Sequence, residues 1–349
     1  MPPLPAAVWG EVGRALGAVE RLDEKLNHFT DRRAATRLLH DMELRASATL
    51  DGVVVPNRDW LAEHLPGGAS SSAAWRYREA GRVSARALEN GRPLSVSLWG
   101  RVDAIMTDGD KEVLAWRVEP TTLRSPSGGP YLDAAPPGAE MREATWLLEE
   151  WIGAQKQMSP LVTAILAHCQ FARISPFTES AHLARELINS VLVHVGVSHG
   201  SVLPIAQWIL GEQQAYRAAI CGFENDIDYA STITFFSAGI RTAALHQIEL
   251  LTGLMEITER LIEPFVYKDS LVRLLEQVVF HPVLNNRIIG EICGVAHATA
   301  GSLSERLEAL QIARVLDSKT AELSNEAPFY GKSLYVPLVL RALGLTLPD

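Results

Sequence analysis

The helical spacing of apolar residues constrains this 349-residue chain more than any other feature. Near the start, six apolar residues follow one another at steps of three and four, which puts them on one face of a helix over residues 8–27: Val8, Val12, Leu16, Val19, Leu22 and Leu26. Comparable patterns predict further helices over residues 31–48, 73–92, 96–106, 139–152, 160–172, 178–195, 204–219 and 230–262. The predicted fold class is therefore mainly all-α.

Composition and charge exclude several classes of protein. No apolar run approaches the roughly 18–20 residues that span a membrane. Residues 1–17 also lack the basic and apolar regions of a secretory signal, so we expect a cytoplasmic protein with no membrane partner. Three widely spaced cysteines exclude a disulfide framework and a CxxC zinc site. The net charge of −9 excludes a generally basic surface for nucleic acid but allows a local basic face.

The chain divides into three predicted segments. At roughly 100–200 residues per domain, two or three domains fit this length. We place them at residues 1–72, 73–265 and 268–349. Within the second segment, residues 120–138 are rich in proline and glycine. Inside a compact domain, such a stretch is either a functional flap or a plain surface connector.

The last segment has the pattern of a helix-turn-helix. Apolar residues predict a first helix that ends at His281, and Asn285 can cap a short second helix. A turn at Gly294 then leads into a third helix that starts near His297. This stretch resembles the winged helix-turn-helix of many bacterial regulators. The resemblance implies a wing over residues 317–336 and a closing helix over 337–343.

The outer face of that third helix carries the candidate DNA-binding residues. With Leu303 buried, a rotation of about 100° per residue points Ala298 and Ser302 outward, with His297 at the helix start and Arg306 on the flank. Such side chains can reach base edges or phosphates. Because residues 268–349 carry eight Lys and Arg against nine Asp and Glu, nonspecific affinity for DNA should be weak. The alternative is a winged-helix unit used only for dimer or protein contacts.

The central sequence resembles the core of the Fic family. The resemblance is strongest at residues 160–188, PLVTAILAHCQFARISPFTESAHLARELI, and continues at 203–220 and 234–240. It covers roughly residues 8–262, and family members often append a winged helix-turn-helix. The resemblance implies a Fic-like helical core with a β-hairpin flap, here at residues 117–138, where a protein partner could dock.

Family members typically transfer AMP from ATP to a protein hydroxyl, with the motif H-x-F-x-(D/E)-G-N-G-R-x-x-R. The His is a general base, and the acidic residue holds Mg²⁺. The Gly-Asn-Gly run and the following helix N-terminus bind phosphates. The two Arg neutralise the charge of the transferred group. This chain retains Pro176, Phe177 and, at the metal position, Glu179.

The other motif positions have changed. In motif order they are Ser175, Ser180, Ala181, His182, Leu183 and Glu186. Arg185 lies one residue before the final arginine position. Loss of a general base alone lowers the rate about 10²–10⁴-fold. We therefore predict no standard AMP transfer and no resident cofactor, with Mg²⁺ and ATP bound only if the pocket is still competent.

Two interpretations of the changed helix remain open. His182 lies one helical turn after Glu179, so the two could share a metal or a proton. Alternatively, both are helix-surface residues around a vestigial pocket.

A second family feature is the inhibitory motif (S/T)-x-x-x-E-(G/N), whose Glu pairs with the final motif arginine and blocks productive ATP binding. Its remnant here is Ser47, Asp51 and Gly52, with Asp in place of Glu. Asp51 opposite Glu186 would repel, whereas Arg185 could restore the contact from the adjacent position. Without the resemblance, this stretch is only a helix end with a glycine C-cap.

These patterns predict a DNA-binding transcriptional regulator with a catalytically degenerate Fic-like domain. That domain would serve as a sensor, a dimerisation body or a protein-binding platform in a homo-oligomer, for which we expect a dimer. One alternative is an enzyme whose remodelled pocket, built from Ser175, Glu179, His182 and Arg185, binds a nucleotide or phosphate. Another is an antitoxin-like interaction module without DNA binding. The whole chain also resembles rhizobial plasmid-type proteins of this architecture, which implies no particular activity.

Overall fold

A computed structural model describes residues 4–62, 64–65, 73–92, 94–109, 113–123, 132–155, 157–200, 202–222, 229–265, 269–316 and 332–345. Its helices are α1 (Ala6–Leu26), α2 (Arg32–Leu50), α3 (Asn57–Ala62), α4 (Ala73–Glu89), α5 (Val96–Met106), α6 (Ala139–Ala154), α7 (Pro160–Ile174), α8 (Ser180–His194), α9 (Ile205–Gly211), α10 (Gln213–Gly222), α11 (Tyr229–Ile262), α12 (Ser270–Gln277), α13 (Asn286–Cys293), α14 (His297–Ala309) and α15 (Pro337–Ala342). Its strands are β1 (Thr122–Leu123), β2 (Leu132–Asp133), β3 (Val283–Asn285), β4 (Arg314–Val315) and β5 (Ser333–Tyr335). The mainly α-helical fold class is confirmed.

The chain forms two compact units, each drawn from separate stretches of sequence. The first unit comprises Met1–Glu24, Leu39–Val53 and Arg76–Gln247, and the second comprises Lys25–Leu38, Val54–Trp75 and Ile248–Asp349. The three segments expected from the sequence, residues 1–72, 73–265 and 268–349, stay a prediction about domains.

The centre of the first unit is the helix pair α7 and α8. In α7, twelve of fifteen residues are buried, and its first charged residue is Arg173, in the last turn. A helix that is apolar on all sides is stable only when its neighbours cover every face. Helix α8 packs against α7 and carries the changed motif, so the motif side chains lie in the interior of the unit.

One predicted helix of the first unit is divided in two. The sequence indicates a single helix over residues 204–219, whereas the structure has α9 and α10 with a break at Glu212. Glu212 has φ of −128°, outside the helical range, and follows Gly211. Glycine lowers helix stability by about 1 kcal/mol relative to alanine, which favours a break at this point.

The sequence predicts a β-hairpin flap within residues 117–138. The structure has two short paired strands there, β1 and β2, both in the first unit. The strands are antiparallel, with Thr122 opposite Asp133, and the Thr122 hydroxyl donates to the Asp133 carboxylate at 3.0 Å. The Ala134 N–H extends the pairing by donating to the Thr121 carbonyl at 3.0 Å. Residues 124–131 lie outside the described residues.

The second unit contains the short helices expected near the C-terminus. The Asp269 carboxylate caps α12 by accepting from the Leu271 N–H at 2.9 Å, and the Asn285 side chain caps α13 as predicted. Gly294 then takes the left-handed conformation, with φ of 66°, and ends α13. This residue allows the tight turn into α14, because a Cβ would strain that backbone conformation.

A three-stranded antiparallel sheet in the order β3-β5-β4 accompanies these helices. Strand β5 and helix α15 lie at the end of the predicted wing and in the predicted closing helix, respectively. Residues 317–331 of the wing lie outside the described residues. Assignment of the whole as a winged helix-turn-helix stays a prediction. Within the described ranges, no helix combines the length and apolar character needed to cross a bilayer.

Candidate functional site

The turn after α7 starts with Ser175, at the position of the family's general base. Its backbone is left-handed, with φ of 46° and ψ of 60°. That conformation costs a residue with a Cβ roughly 1–2 kcal/mol. The Ser175 N–H donates to the Phe171 carbonyl at 2.8 Å and ends the helix. The residue is buried, and a serine hydroxyl is not a base near neutral pH, so this position cannot replace an imidazole.

Arg117 fixes this turn to the base of the flap. Its Nε donates to the Ser175 carbonyl at 2.6 Å, and its terminal nitrogens donate to the carbonyls of Glu119 and Ala135 at 2.5 and 2.6 Å. Its own N–H donates to the Pro176 carbonyl at 2.9 Å. Burial lowers the pKa of the Arg117 guanidinium. These partners are all carbonyls, and those at the end of α7 carry the partial negative charge of a helix C-terminus.

The retained aromatic residue of the motif, Phe177, is buried under the flap base. Its ring stacks on Trp116 with centroids 5.3 Å apart and an interplanar angle of 16°. The Ser180 hydroxyl accepts from the Phe177 N–H at 2.8 Å and donates to the Phe177 carbonyl at 2.7 Å. The side chain at the first glycine position of the motif therefore closes the turn.

Asp103 on α5 caps the start of α8. Its carboxylate accepts from the Glu179 N–H at 2.7 Å and also from the Thr178 N–H. Burial raises the pKa of Asp103 to about 6, and the nearby Glu179 charge adds to that effect, whereas the two N–H groups oppose it. Glu179 is half-buried at the N-cap, and its side chain makes no capping bond. Burial and then the Asp51 charge raise the Glu179 pKa.

Helix α8 is joined to α2 by Arg185. The Ser47 hydroxyl accepts from Arg185 Nε at 3.0 Å and from Nη2 at 2.7 Å. Nη2 also donates to Asp51 Oδ2 at 2.5 Å, and that oxygen accepts from the Tyr77 hydroxyl of α4 at 2.9 Å. The contact between Arg185 and Asp51 that the sequence made possible is therefore present, and both partners are largely buried.

Glu186, at the final arginine position, faces other partners. Its Oε2 accepts from the Ser84 hydroxyl at 3.0 Å. Its Oε1 lies 3.5 Å from His40 Nε2 and 3.8 Å from His182 Nε2. Burial alone would raise the pKa of Glu186, but His182, His40 and Ser84 lower it to about 2. Asp51 and Glu186 thus each have their own partners, so the repulsion considered from the sequence is avoided.

His182, at the second glycine position, is fully buried rather than on the helix surface. Its Nδ1 lies 2.9 Å from the Ser47 hydroxyl, and its ring packs edge-on against Tyr77. Its Nε2 points at Glu186 and has no hydrogen-bond partner among the described residues. Both ring nitrogens therefore face side chains other than Glu179.

A metal site is not apparent in this arrangement. In the part of the chain that the structure describes, no three His, Cys, Asp or Glu side chains are grouped so as to hold a metal ion. Glu179 as a Mg²⁺ ligand stays a prediction that depends on the resemblance.

In space, the Ser47 hydroxyl, the His182 imidazole and the Glu186 carboxylate follow one another as the catalytic groups of nucleophilic hydrolases do. Ser47 is 2% exposed, and both lone pairs of its oxygen accept from Arg185. A nucleophile needs an approach path and a free lone pair. The group therefore links α2 to α8 and does not form an open catalytic centre.

The second unit exposes the residues predicted to contact DNA. His297, Ala298, Ser302 and Arg306 are all exposed on α14. Arg306 Nη1 lies 3.1 Å from Asp269 Oδ2, in an ion pair in which both side chains are about half exposed. Contact of these residues with DNA stays a prediction.

Sequence reasoning found one half of the first unit's polar cluster and missed the other. The residues that it singled out and that the fold brings together are Ser47, Asp51, His182, Arg185 and Glu186. Sequence patterns did not predict their partners His40, Tyr77 and Ser84, nor Asp103, which accepts from the Glu179 N–H. These four polar residues belong to no motif, and the available signal was their place on helices with a buried face.

No protein-family model and no curated protein matches this sequence. Among solved structures, a Fic family protein from Desulfovibrio desulfuricans G20 is similar to it with a TM-score of 0.52, at 13% identity over 96% of this chain and 97% of that chain. This chain has a Fic-like fold. A Fic domain-containing signalling protein from Bacteroides thetaiotaomicron VPI-5482 gives a TM-score of 0.49 at 17% identity, over 68% of this chain and 97% of that chain. A segment of Fic-1 from C. elegans gives 0.48 at 15% identity, over 69% and 72%. The fold assignment rests on the first of the three.

Proposed function

We propose that this protein is a cytoplasmic DNA-binding regulator whose Fic-like part does not transfer AMP. In this proposal the second unit binds specific DNA sequences, and the Fic-like part serves as a sensor, a dimerisation body or a protein-binding platform. A homodimer and a protein partner at the flap belong to the same proposal.

The chemistry of the motif turn supports the loss of AMP transfer. Ser175 supplies no general base, and the Ser180 side chain bonds back onto Phe177. A phosphate approaching the start of α8 would meet the carboxylates of Asp103 and Glu179. Arg185 and Arg76 partly offset the charge of Glu179, and the two carboxylates otherwise repel an anion.

Arg185, one of the two arginines whose charge acts on Glu179, is already bonded within the protein. Arg185 Nε and Nη2 are bonded to Ser47 on α2 and Nη2 also to Asp51, which directly follows that helix. To neutralise a transferring phosphate, Arg185 would have to leave a buried ion pair, and breaking such a pair costs about 3–5 kcal/mol.

The observation that carries the DNA-binding half of the proposal is the exposed polar face of α14. That helix follows a glycine turn, and its exposed face presents His297, Ser302 and Arg306. The ion pair between Arg306 and Asp269 is exposed, and such pairs contribute only about 0–1 kcal/mol. Arg306 can therefore exchange Asp269 for a phosphate or a base at little cost.

Fluorescence anisotropy tests the proposal. The purified full-length protein is titrated onto the DNA upstream of its own gene and onto a random duplex of equal length, across a salt series. We expect preference for the upstream DNA and affinity that falls with salt, since phosphate contacts release counterions. Arg306→Ala and His297→Ala should each weaken specific binding by about 1–3 kcal/mol if the side chain reads a base.

Arg260→Ala is the matched control, because Arg260 is an exposed arginine of the second unit on a different helix, α11. It should bind as the wild type does. Absence of binding to either duplex at low salt would refute the DNA-binding half of the proposal.

A further inference from the structure

The hydrogen bonds around Ser47 determine where its hydroxyl hydrogen and the ring hydrogen of His182 lie. A serine hydroxyl has one donor and two acceptor lone pairs. Arg185 Nε and Nη2 both donate to this oxygen, at 3.0 and 2.7 Å. When each takes one lone pair, the hydroxyl hydrogen is left to donate to His182 Nδ1, 2.9 Å away. His182 Nδ1 is then an acceptor without a hydrogen, and the neutral imidazole carries its hydrogen on Nε2, facing Glu186.

We infer that Ser47 and His182 form a proton-sensitive joint, which holds the end of α2 on α8 only while the His182 imidazole is neutral. Addition of a proton at Nδ1 would put two donors face to face. The Ser47 oxygen would then have to accept from His182 and release one Arg185 N–H. Release of Nη2 would leave it the longer bond to the Ser47 carbonyl, at 3.3 Å. Release of Nε would leave a buried donor without a partner, which costs about 1–3 kcal/mol.

The groups that face His182 come from α2, α4 and α8. Helix α2 contributes His40 and the residue just after it, Asp51; α4 contributes the uncharged Tyr77 ring; and α8 itself contributes Arg185 and Glu186. Burial is the largest influence and lowers the pKa of His182; Arg185 and His40 act in the same direction, whereas Glu186 and Asp51 oppose them. Because an opened joint exposes the imidazole to water, acid favours the open form.

The opening that acid favours is local to the end of α2. Ser47 lies in the last turn of α2, and three amides report on that turn. The Asp51 N–H bonds to the Ser47 carbonyl at 3.1 Å, and the Gly52 and Val53 N–H groups bond to the carbonyls of Thr49 and Ala48. The Asp51 and Gly52 amides lie in the segment that aligns with the family's inhibitory motif, and Val53 follows it, so acid would release the end of that segment.

Hydrogen exchange tests the joint. Protection factors of the amides of residues 51–53, each corrected for the intrinsic rate at its pH, are measured on the full chain from pH 7.5 to pH 5. Below the ordinary histidine pKa of about 6.5, uptake of one proton on opening predicts a fall of about tenfold per pH unit. Protection that does not change with pH in the wild type would overturn the inference.

His182→Gln removes the titrating group, and protection at residues 51–53 should then lose its pH dependence. His194→Gln is the matched control, because His194 lies exposed in the last turn of the same helix. Its protection factors at residues 51–53 should fall with pH as those of the wild type do. The same fall with pH in the His182→Gln variant would also overturn the inference.

If His182→Gln does not fold, the wild type alone decides. Nitrogen-15 chemical shifts of the histidine rings at pH 7.5 distinguish the two neutral tautomers. We expect the Nε2–H form for His182. The Nδ1–H form would show that the hydroxyl of Ser47 does not donate to it, and would refute the joint.

Discussion

Replacement of Asp103 by asparagine should abolish the loss of unfolding free energy that the ionisation of Asp103 causes as the pH rises. Asp103 is 1% exposed, and burial raises its pKa from 3.8 to about 6 in the folded chain. A raised carboxyl pKa means that the folded form favours the protonated acid. The associated stability is fully present below pH 3.8 and is lost as the pH rises through 6.

The magnitude follows from the two pKa values. The difference of 2.2, from 3.8 to about 6, corresponds to ~3 kcal/mol at 1.36 kcal/mol per unit. An asparagine side chain at this position cannot ionise, yet its Oδ1 can still accept from the Glu179 N–H. Because part of that difference is already present at pH 4, Asp103→Asn should gain about 2–3 kcal/mol of unfolding free energy relative to the wild type between pH 4 and pH 8.

Urea unfolding at pH 4, 6 and 8, followed by tryptophan fluorescence, measures this difference. Trp99 packs against Phe171 in the first unit, so it reports on the part of the chain that holds Asp103. Asp133→Asn, which changes an exposed carboxylate of the same unit, is the control and should follow the wild type. If Asp103→Asn instead lost stability as the pH rises, attraction between the carboxylate and the start of α8 would outweigh burial, and the reasoning would be wrong.

Two further predictions concern packing and ligand binding. A Cβ at Gly239 would lie 2.0 Å from the Trp208 ring, so Gly239→Ala should lower the unfolding free energy by about 1–3 kcal/mol. A Cβ at Gly253 on the same helix would have no atom within 4 Å, so Gly253→Ala should raise the unfolding free energy by up to about 1 kcal/mol. Urea unfolding midpoints of the two variants measure both effects. Calorimetric titration with ATP and Mg²⁺ should give no binding heat, because Arg185 is bonded within the protein; saturable heat would contradict the proposed loss of AMP transfer.

The sequence predicted the elements of the site better than its contacts. The apolar pattern of residues 160–172 indicated a buried helix, and the structure has α7 there, ending at Ile174. The family resemblance placed the changed motif on the next turn and helix. Both signals are local or depend on a known pattern, which is why one sequence carries them.

The partners of the motif residues could not be predicted, because they depend on how distant helices face one another. His40 and Glu186 are 146 positions apart, and His40 matches no motif. Helical periodicity shows which face of a helix is buried. It does not show which buried polar group meets which, since that depends on the rotation of two helices about their own axes.

Arg185, one residue before the position that aligns with the final motif arginine, has a geometric consequence for α2. Adjacent residues on a helix differ in direction by about 100°. Even so, Arg185 and Glu186 both reach α2, at Ser47 and at His40. Those two residues are seven positions apart, which is about 10 Å along a helix, or two turns. Two attachments at that spacing hold the part of α2 that belongs to the first unit against α8, and only the one at Ser47 involves the His182 proton. Acid should therefore release the end of α2 while the ionised Glu186 holds its middle in place.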